Sequence, residues 1–217
     1  MAGPVVEITW LGHSCFRIKG RELTLVSDPY DESLGYPAVK LTANIVTLSH
    51  GHPGHSHAAG IDGNPKVISR PGEYEVSNVF LLGLSTFHDS EQGKMRGGNI
   101  SYLIEIDEVT LCHLGDLGHS PSPRQMEELS GTEILFLPVG GVSTINAKMA
   151  AEIVRFLNPK VVIPMHYQTE VATWLEPLDR FLKEMGLREI SPQPKLSITR
   201  SNLPSETQVI VLDYRPR

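Results

Sequence analysis

The chain has 217 residues, enough to bury a sizeable core, and its 40% apolar and 20% charged content is that of a folded protein, not a disordered one. A net charge of −6 argues against tight nucleic-acid binding and against attraction to anionic membranes. No apolar stretch reaches the roughly 18 residues of a membrane span, and Met1-Ala2-Gly3-Pro4-Val5 lacks the basic and apolar regions of a signal peptide. The two cysteines, Cys15 and Cys112, read as buried free thiols of a reducing compartment, so the expected location is cytoplasmic.

In chain order, the pattern predicts strands over Val5 to Trp10, Cys15 to Ile18 and Leu23 to Val26, the last ended by Asp28-Pro29. Ile45 to Leu48 and Lys66 to Ser69 are short strands, and Val79 to Phe87 is a long one ending at His88-Asp89. A glycine-rich loop, Ser90 to Gly98, leads to the strand Ile100 to Ile106. Its hairpin partner, Val109 to Cys112, ends at His113-Leu114-Gly115-Asp116. Helices and strands then alternate. A helix starts at Ser122-Pro123, a strand runs over Glu133 to Leu137, and Ala147, Ala150, Ile153, Val154 and Leu157 recur at helical spacing until Asn158-Pro159. Val161 to Ile163 leads to Pro164-Met165-His166. Leu178, Phe181, Leu182 and Met185 mark a last helix, and Val209 to Leu212 reads as closing strand. This order predicts one domain over 1–217, a layered α/β sandwich whose helices cover both faces of two sheets.

The densest chemical signal is His50-Gly51-His52-Pro53-Gly54-His55-Ser56-His57, directly after the apolar run that starts at Ile45. Imidazoles at this density suit a borderline-soft cation such as zinc. A histidine-rich surface tract with no site is the competing reading of the cluster alone. Other histidines and carboxylates stand just past predicted strand ends, at 88, 116 and 166, where ligands from separate strands converge on one edge.

His50-x-His52-x-x-His55, His88-Asp89, Gly115-Asp116 and Pro164-Met165-His166-Tyr167 together resemble the metallo-β-lactamase superfamily of αββα metallohydrolases. Trp10-Leu11-Gly12-His13-Ser14, Ser27-Asp28-Pro29-Tyr30, Pro71-Gly72-Glu73-Tyr74, Arg96-Gly97-Gly98-Asn99 and Pro138-Val139-Gly140-Gly141 resemble its branch that includes ascorbate-6-phosphate lactonases. The resemblance runs from about residue 8 to 168. It implies a four-layer αββα fold and two adjacent metal sites. His50, His52 and His88 would hold the first metal, with Asp116 bridging; His55, His166 and Asp116 would hold the second. Asp28 would orient ligating histidines.

One position departs from that pattern. The family has aspartate immediately before the third histidine, where this chain has Gly54. The expectation is one well-occupied zinc site, with Mn²⁺ or Fe²⁺ as alternatives, and a second site that is weak, absent, or completed by His57 or solvent. His113 competes with His88 for the first site, and the family register favours His88. His13 either lines the pocket or is a turn residue, and His119 caps the loop before Pro121. Arg96 either clamps an anionic substrate or is a solvated loop cation. Asn99 either meets substrate or braces the loop, and Tyr167 either donates to an oxyanion or packs.

The implied activity is hydrolysis of an ester, lactone or phosphoester in a small, anionic metabolite by metal-activated water, with Asp116 as the catalytic carboxylate. No Gly-x-Ser-x-Gly elbow offers a protein nucleophile. Two other readings remain: a mononuclear iron oxygenase, and a metal-binding or regulatory protein with a degenerate second site. The expected partner is a small molecule, with no nucleic acid and no membrane, and a homo-oligomer is compatible with the chain.

Overall fold

Alternating burial along the first strands builds a sheet with two different faces. In the computed structural model, which describes residues 3–215, the strands are β1 (Val6–Gly12), β2 (Cys15–Lys19), β3 (Thr24–Ser27), β4 (Leu41–Thr42), β5 (Ile45–Thr47), β6 (Ile61–Asp62), β7 (Lys66–Ile68), β8 (Gly72–Val76), β9 (Val79–Phe87), β10 (Gly98–Ile106) and β11 (Val109–His113). Then come α1 (Pro123–Glu128), β12 (Ile134–Pro138), α2 (Ala147–Leu157), β13 (Val161–Met165), α3 (Leu178–Glu184), β14 (Leu196–Ile198) and β15 (Gln208–Val209).

One sheet has six strands in the order β14-β1-β2-β3-β5-β7, and the other has seven, β15-β13-β12-β11-β10-β9-β8. β4 and β6 form a separate parallel ribbon. Phe16, Leu25 and Ile45 of the first sheet join the main core with Leu81, Tyr102, Leu111 and Phe136 of the second. Their sequence neighbours Cys15, Val26 and Val46 belong to a second cluster on the opposite face, as the two-residue period of a strand requires. β12 and β13, parallel and central, are buried at every residue, as parallel strands covered on both sides are.

The mixed α/β sandwich agrees with the sequence, with its helices unevenly placed: all three α-helices among the described residues lie between Pro123 and Glu184. The outer face of the first sheet is covered instead by Tyr30, Tyr36, Val39, Ala172 and Leu175, on irregular segments. Pro29, Pro37 and the left-handed Gly35 (φ 89°) forbid a continuous helix there. Where helices form, local signals agree with them. Asn146 caps α2 by accepting from the Met149 N–H at 3.0 Å. Its buried stripe includes Ile153, Val154 and Leu157, each stabilising by roughly 1.5–3 kcal/mol on burial. Asn158, left-handed at φ 47°, then ends it.

No helix among the described residues is long and apolar enough to cross a membrane. The two sheets matter for function because their strand ends meet. β3, β5, β9, β11 and β13 each run into a residue of the histidine and carboxylate cluster, and the β1–β2 turn supplies another.

Candidate metal centre

Asp116 is the hub. It follows β11 by way of Gly115, which has φ +59° and leaves no room for a side chain: a Cβ there would lie 2.5 Å from Asn99 Oδ1 and 2.5 Å from Ser49 Cβ. That turn delivers Asp116 Oδ2 to within 3.2 Å of His55 Nε2, 3.3 Å of His166 Nε2 and 3.5 Å of His88 Nε2. Its backbone N–H donates to Asn99 Oδ1 at 2.9 Å. Burial raises the Asp116 carboxyl, but His166 and His55, by charge and by hydrogen bonds, outweigh it and hold the group well below the usual carboxylate range.

Asp28 orients the neighbouring histidines. It is fully buried and has a left-handed backbone, φ 43°. Its Oδ1 accepts from the Ser49 N–H at 2.7 Å, and its Oδ2 from the Ser49 hydroxyl at 2.5 Å and from His55 Nδ1 at 3.0 Å. Ser49 has spent its only proton, so its oxygen accepts from His50 Nδ1–H at 2.9 Å. The lone pair of His50 is therefore on Nε2, which faces His52 Nδ1 at 3.0 Å. Burial, ahead of the charge on His55, depresses the His50 imidazolium to about 3. His50 is thus neutral and ready to donate to a cation. Burial also opposes charge on His55, but carboxylates on both ring nitrogens, Asp116 foremost, push its pKa up to about 10.

These residues fall into three groups whose ligand atoms lie within 4.8 Å of one another: His50 with His52 and His88; His50 with His55 and Asp116; and His13 with His55 and His166. The buried Nδ1 atoms of His13, His88 and His166 have no hydrogen-bond partner. The Nε2 atoms of His55, His88 and His166 gather around one carboxylate oxygen, and imidazole nitrogens beside a buried carboxylate are the donors a divalent metal takes, so the residues present fit one.

All six residues expected as metal ligands are brought together, and Asp28 lies directly behind them. His113 is elsewhere in role. Its Nδ1 accepts from the Gly115 N–H at 3.2 Å and its Nε2–H donates to the Ser14 carbonyl at 2.9 Å, so it braces the Asp116 turn. His119 accepts from the Phe87 N–H at 3.1 Å and donates to the Ser120 carbonyl. His57 is exposed and joins none of the three groups, so it does not complete the second site. Asn99 is buried and gives its amide to Thr86 Oγ1 and the Leu114 carbonyl. It braces, and has no donor left for a substrate. Tyr167 packs against Trp10 with ring centroids 5.2 Å apart and planes tilted by 36°, and it lines a different cavity. Arg96 is exposed, in a loop whose end is tied to the site by His88 N–H donating to the Gly97 carbonyl at 3.1 Å.

Three contributors were not legible as such in the sequence. Ser49 relays Asp28 to His50, and its only signal was its place directly before the cluster. Asp89 accepts four backbone N–H groups, from Glu91, Gly93, Met95 and Arg96, and so shapes the Ser90 to Gly98 loop. His13 is the third, inside the cluster. Beside His50, a cavity of about 370 Å³ is lined by Ser49, Ser56, Ser69, Ser85 and Ile100, with no lysine or arginine on its wall.

Comparison with known proteins shows the family and the fold. Residues 7–166 match the model of the beta-lactamase superfamily domain. A UPF0173 metal-dependent hydrolase of Thermococcus onnurineus is 30% identical over 212 residues, 84% of this chain and 93% of that protein. A Thermotoga maritima structure assigned as a Zn-dependent hydrolase of the metallo-beta-lactamase superfamily is 39% identical, with a TM-score of 0.79 over 95% of this chain and 98% of that one. Igni18, a metallo hydrolase of Ignicoccus hospitalis, shares the fold at 19% identity, with a TM-score of 0.66 over 89% of this chain and 98% of that one. With the family model spanning most of the chain and the fold and histidine cluster in agreement, this protein belongs to the metallo-β-lactamase superfamily, among its metal-dependent hydrolases.

Proposed function

We propose that the chain is a zinc-dependent hydrolase acting on an ester, lactone or phosphoester of a small molecule. One observation carries the reading: three imidazole Nε2 atoms, from His55, His88 and His166, converge on the single oxygen Oδ2 of a carboxylate held ionised in a buried site. His50, His52 and His88 would hold one ion and His55 and His166 another, with Asp116 shared between them. Divalent cations bound there supply a water acidified toward a pKa of about 7 and a Lewis acid for the substrate oxygen.

The chain's own residues do the rest. Asp28 and Ser49 fix the tautomer of His50 and the ring of His55. Asp116, with no proton at neutral pH, is placed to accept a hydrogen bond from an attacking water and orient it. The cavity beside His50 has the volume for a small metabolite, and the Ser69 and Ser85 hydroxyls on its wall offer neutral hydrogen bonds. An anionic substrate group would be met by the cations and by Arg96 from the bordering loop, since the cavity wall carries no cation.

The test is metal analysis of purified protein together with hydrolysis assays on generic lactones and phosphodiesters, with and without a chelator. The expected result is bound zinc and activity lost on chelation and restored by zinc. Protein that takes up no divalent metal at His50, His52 and His88 would overturn the reading.

A further inference from the structure

His13 sits in the turn between β1 and β2, remote in sequence from the other histidines, yet it is buried within them. Its ring centroid lies 4.2 Å from that of His166 and 4.9 Å from that of His55. Its ligand atom lies within 4.8 Å of theirs. Its Nδ1 is buried with no partner among the described residues, so no protein contact there holds the ring, and its Nε2 is the nitrogen that faces position 54. The backbone is committed to this placement. His13 adopts φ 52°, an uncommon conformation for a residue with a Cβ. Its carbonyl is pinned by two donors, the Trp10 indole N–H at 3.0 Å and the His166 backbone N–H at 3.1 Å.

Position 54 explains what the ring is for. A Cβ built on Gly54 would lie 3.6 Å from both Nε2 and Cδ2 of His13. The His13 imidazole therefore stands beside the place where a side chain at 54 would begin. Gly54 supplies no ligand, and the adjoining histidine supplies a nitrogen.

We propose that His13 is a protein ligand of the second cation, with His55, His166 and Asp116, so that the site is held without a side chain from position 54. The second site is then complete, richer in nitrogen and lower by one negative charge than a site with an aspartate there. Neutral imidazole for carboxylate favours zinc over harder, oxygen-seeking cations such as manganese or magnesium. This inference rests on the metal-dependent reading above, but it stands or falls separately.

The experiment is zinc binding by equilibrium dialysis with elemental analysis, on the whole chain and on His13→Asn, Gly54→Asp and the double variant. Asparagine is chosen because it tolerates left-handed backbone. The unsubstituted chain is expected to bind two ions. His13→Asn should keep one at unchanged affinity and bind the other roughly 100-fold more weakly. The double variant should recover the second ion, because the new carboxylate takes up the vacated position. In parallel, ¹⁵N-histidine NMR of the unsubstituted chain should move the His13 ring nitrogens only with the second equivalent of zinc, a readout that needs no variant to fold. A second ion retained at full affinity by His13→Asn, or His13 resonances indifferent to zinc, would overturn the proposal and leave the hydrolase reading standing. Failure to bind any zinc would instead overturn both.

Discussion

The two histidine trios of the site are built on opposite principles. His50, His52 and His88 sit on loops; His52 is exposed, His50 half-buried, and their positions follow from two short stretches of chain. His13, His55 and His166 are all buried and come from three distant segments, two of them with left-handed backbones. The first trio takes two of its rings from one short motif, whereas the second takes each ring from a different part of the fold. On the proposal made above for His13, a ligand missing from a motif would be replaced by a donor that the fold brings from elsewhere.

The sharpest way to break that contrast is at the residue both trios share. Asp116→Asn should lower hydrolysis of a generic phosphodiester or lactone by roughly 100- to 1,000-fold, measured as kcat/KM at saturating zinc, and cost both ions. An Asp116→Asn protein with two tightly bound ions would show that the carboxylate is not shared. Next in size, His50→Ala should remove the ion of the exposed trio while His13 and His166 still respond to zinc by NMR; full metallation of that variant would dissolve the division into two sites. Asp28→Asn should weaken zinc binding by about 10- to 100-fold, the range for losing a group that orients a metal-bound imidazole. Its effect should fall mainly on the buried trio, since His55 contacts Asp28 directly.

The smallest effect is a proton count. Without metal, His55 has carboxylate oxygens on both ring nitrogens and a pKa of about 10, so it is charged at neutral pH, whereas His50 is held at about 3 and is not. Filling the buried trio should therefore release about one proton from His55, and filling the exposed trio should draw none from His50. Calorimetry in buffers of different ionisation enthalpy at pH 7.5 would read the difference. The same shift fixes a sign for the metal-free fold. Its stabilisation by charged His55 is fully present below pH 6.5 and is lost as pH rises through about 10.

Elements with a one-sided chemical pattern were legible to the residue. β9 spans Val79–Phe87 and α2 spans Ala147–Leu157, as the apolar run and the helical spacing indicate. β8 was not seen as a strand, because Gly-Glu-Tyr-Glu-Val at a sheet edge pairs only with β9 and leaves most of its side chains outside. β14 closes the other sheet by pairing with β1 across nearly the whole chain, a contact no local pattern encodes. In the site, the ligands that follow strands were readable because an apolar run ending in histidine or aspartate is itself a signal. His13 was seen but not placed, since its neighbours His55, His166 and Gly54 lie far from it in sequence. Asn99 and Tyr167 carry functional-looking groups, and only their contacts reveal that one braces and the other packs.

The hydrogen bond from the His166 N–H to the His13 carbonyl joins the two sheets through main chain alone. A cation held by the rings of those same two residues would act as a removable cross-link between positions 153 residues apart (166 − 13). The melting temperature should therefore climb with free zinc concentration, and the seam between the sheets should be the first part of the backbone to exchange its amide hydrogens when zinc is withdrawn.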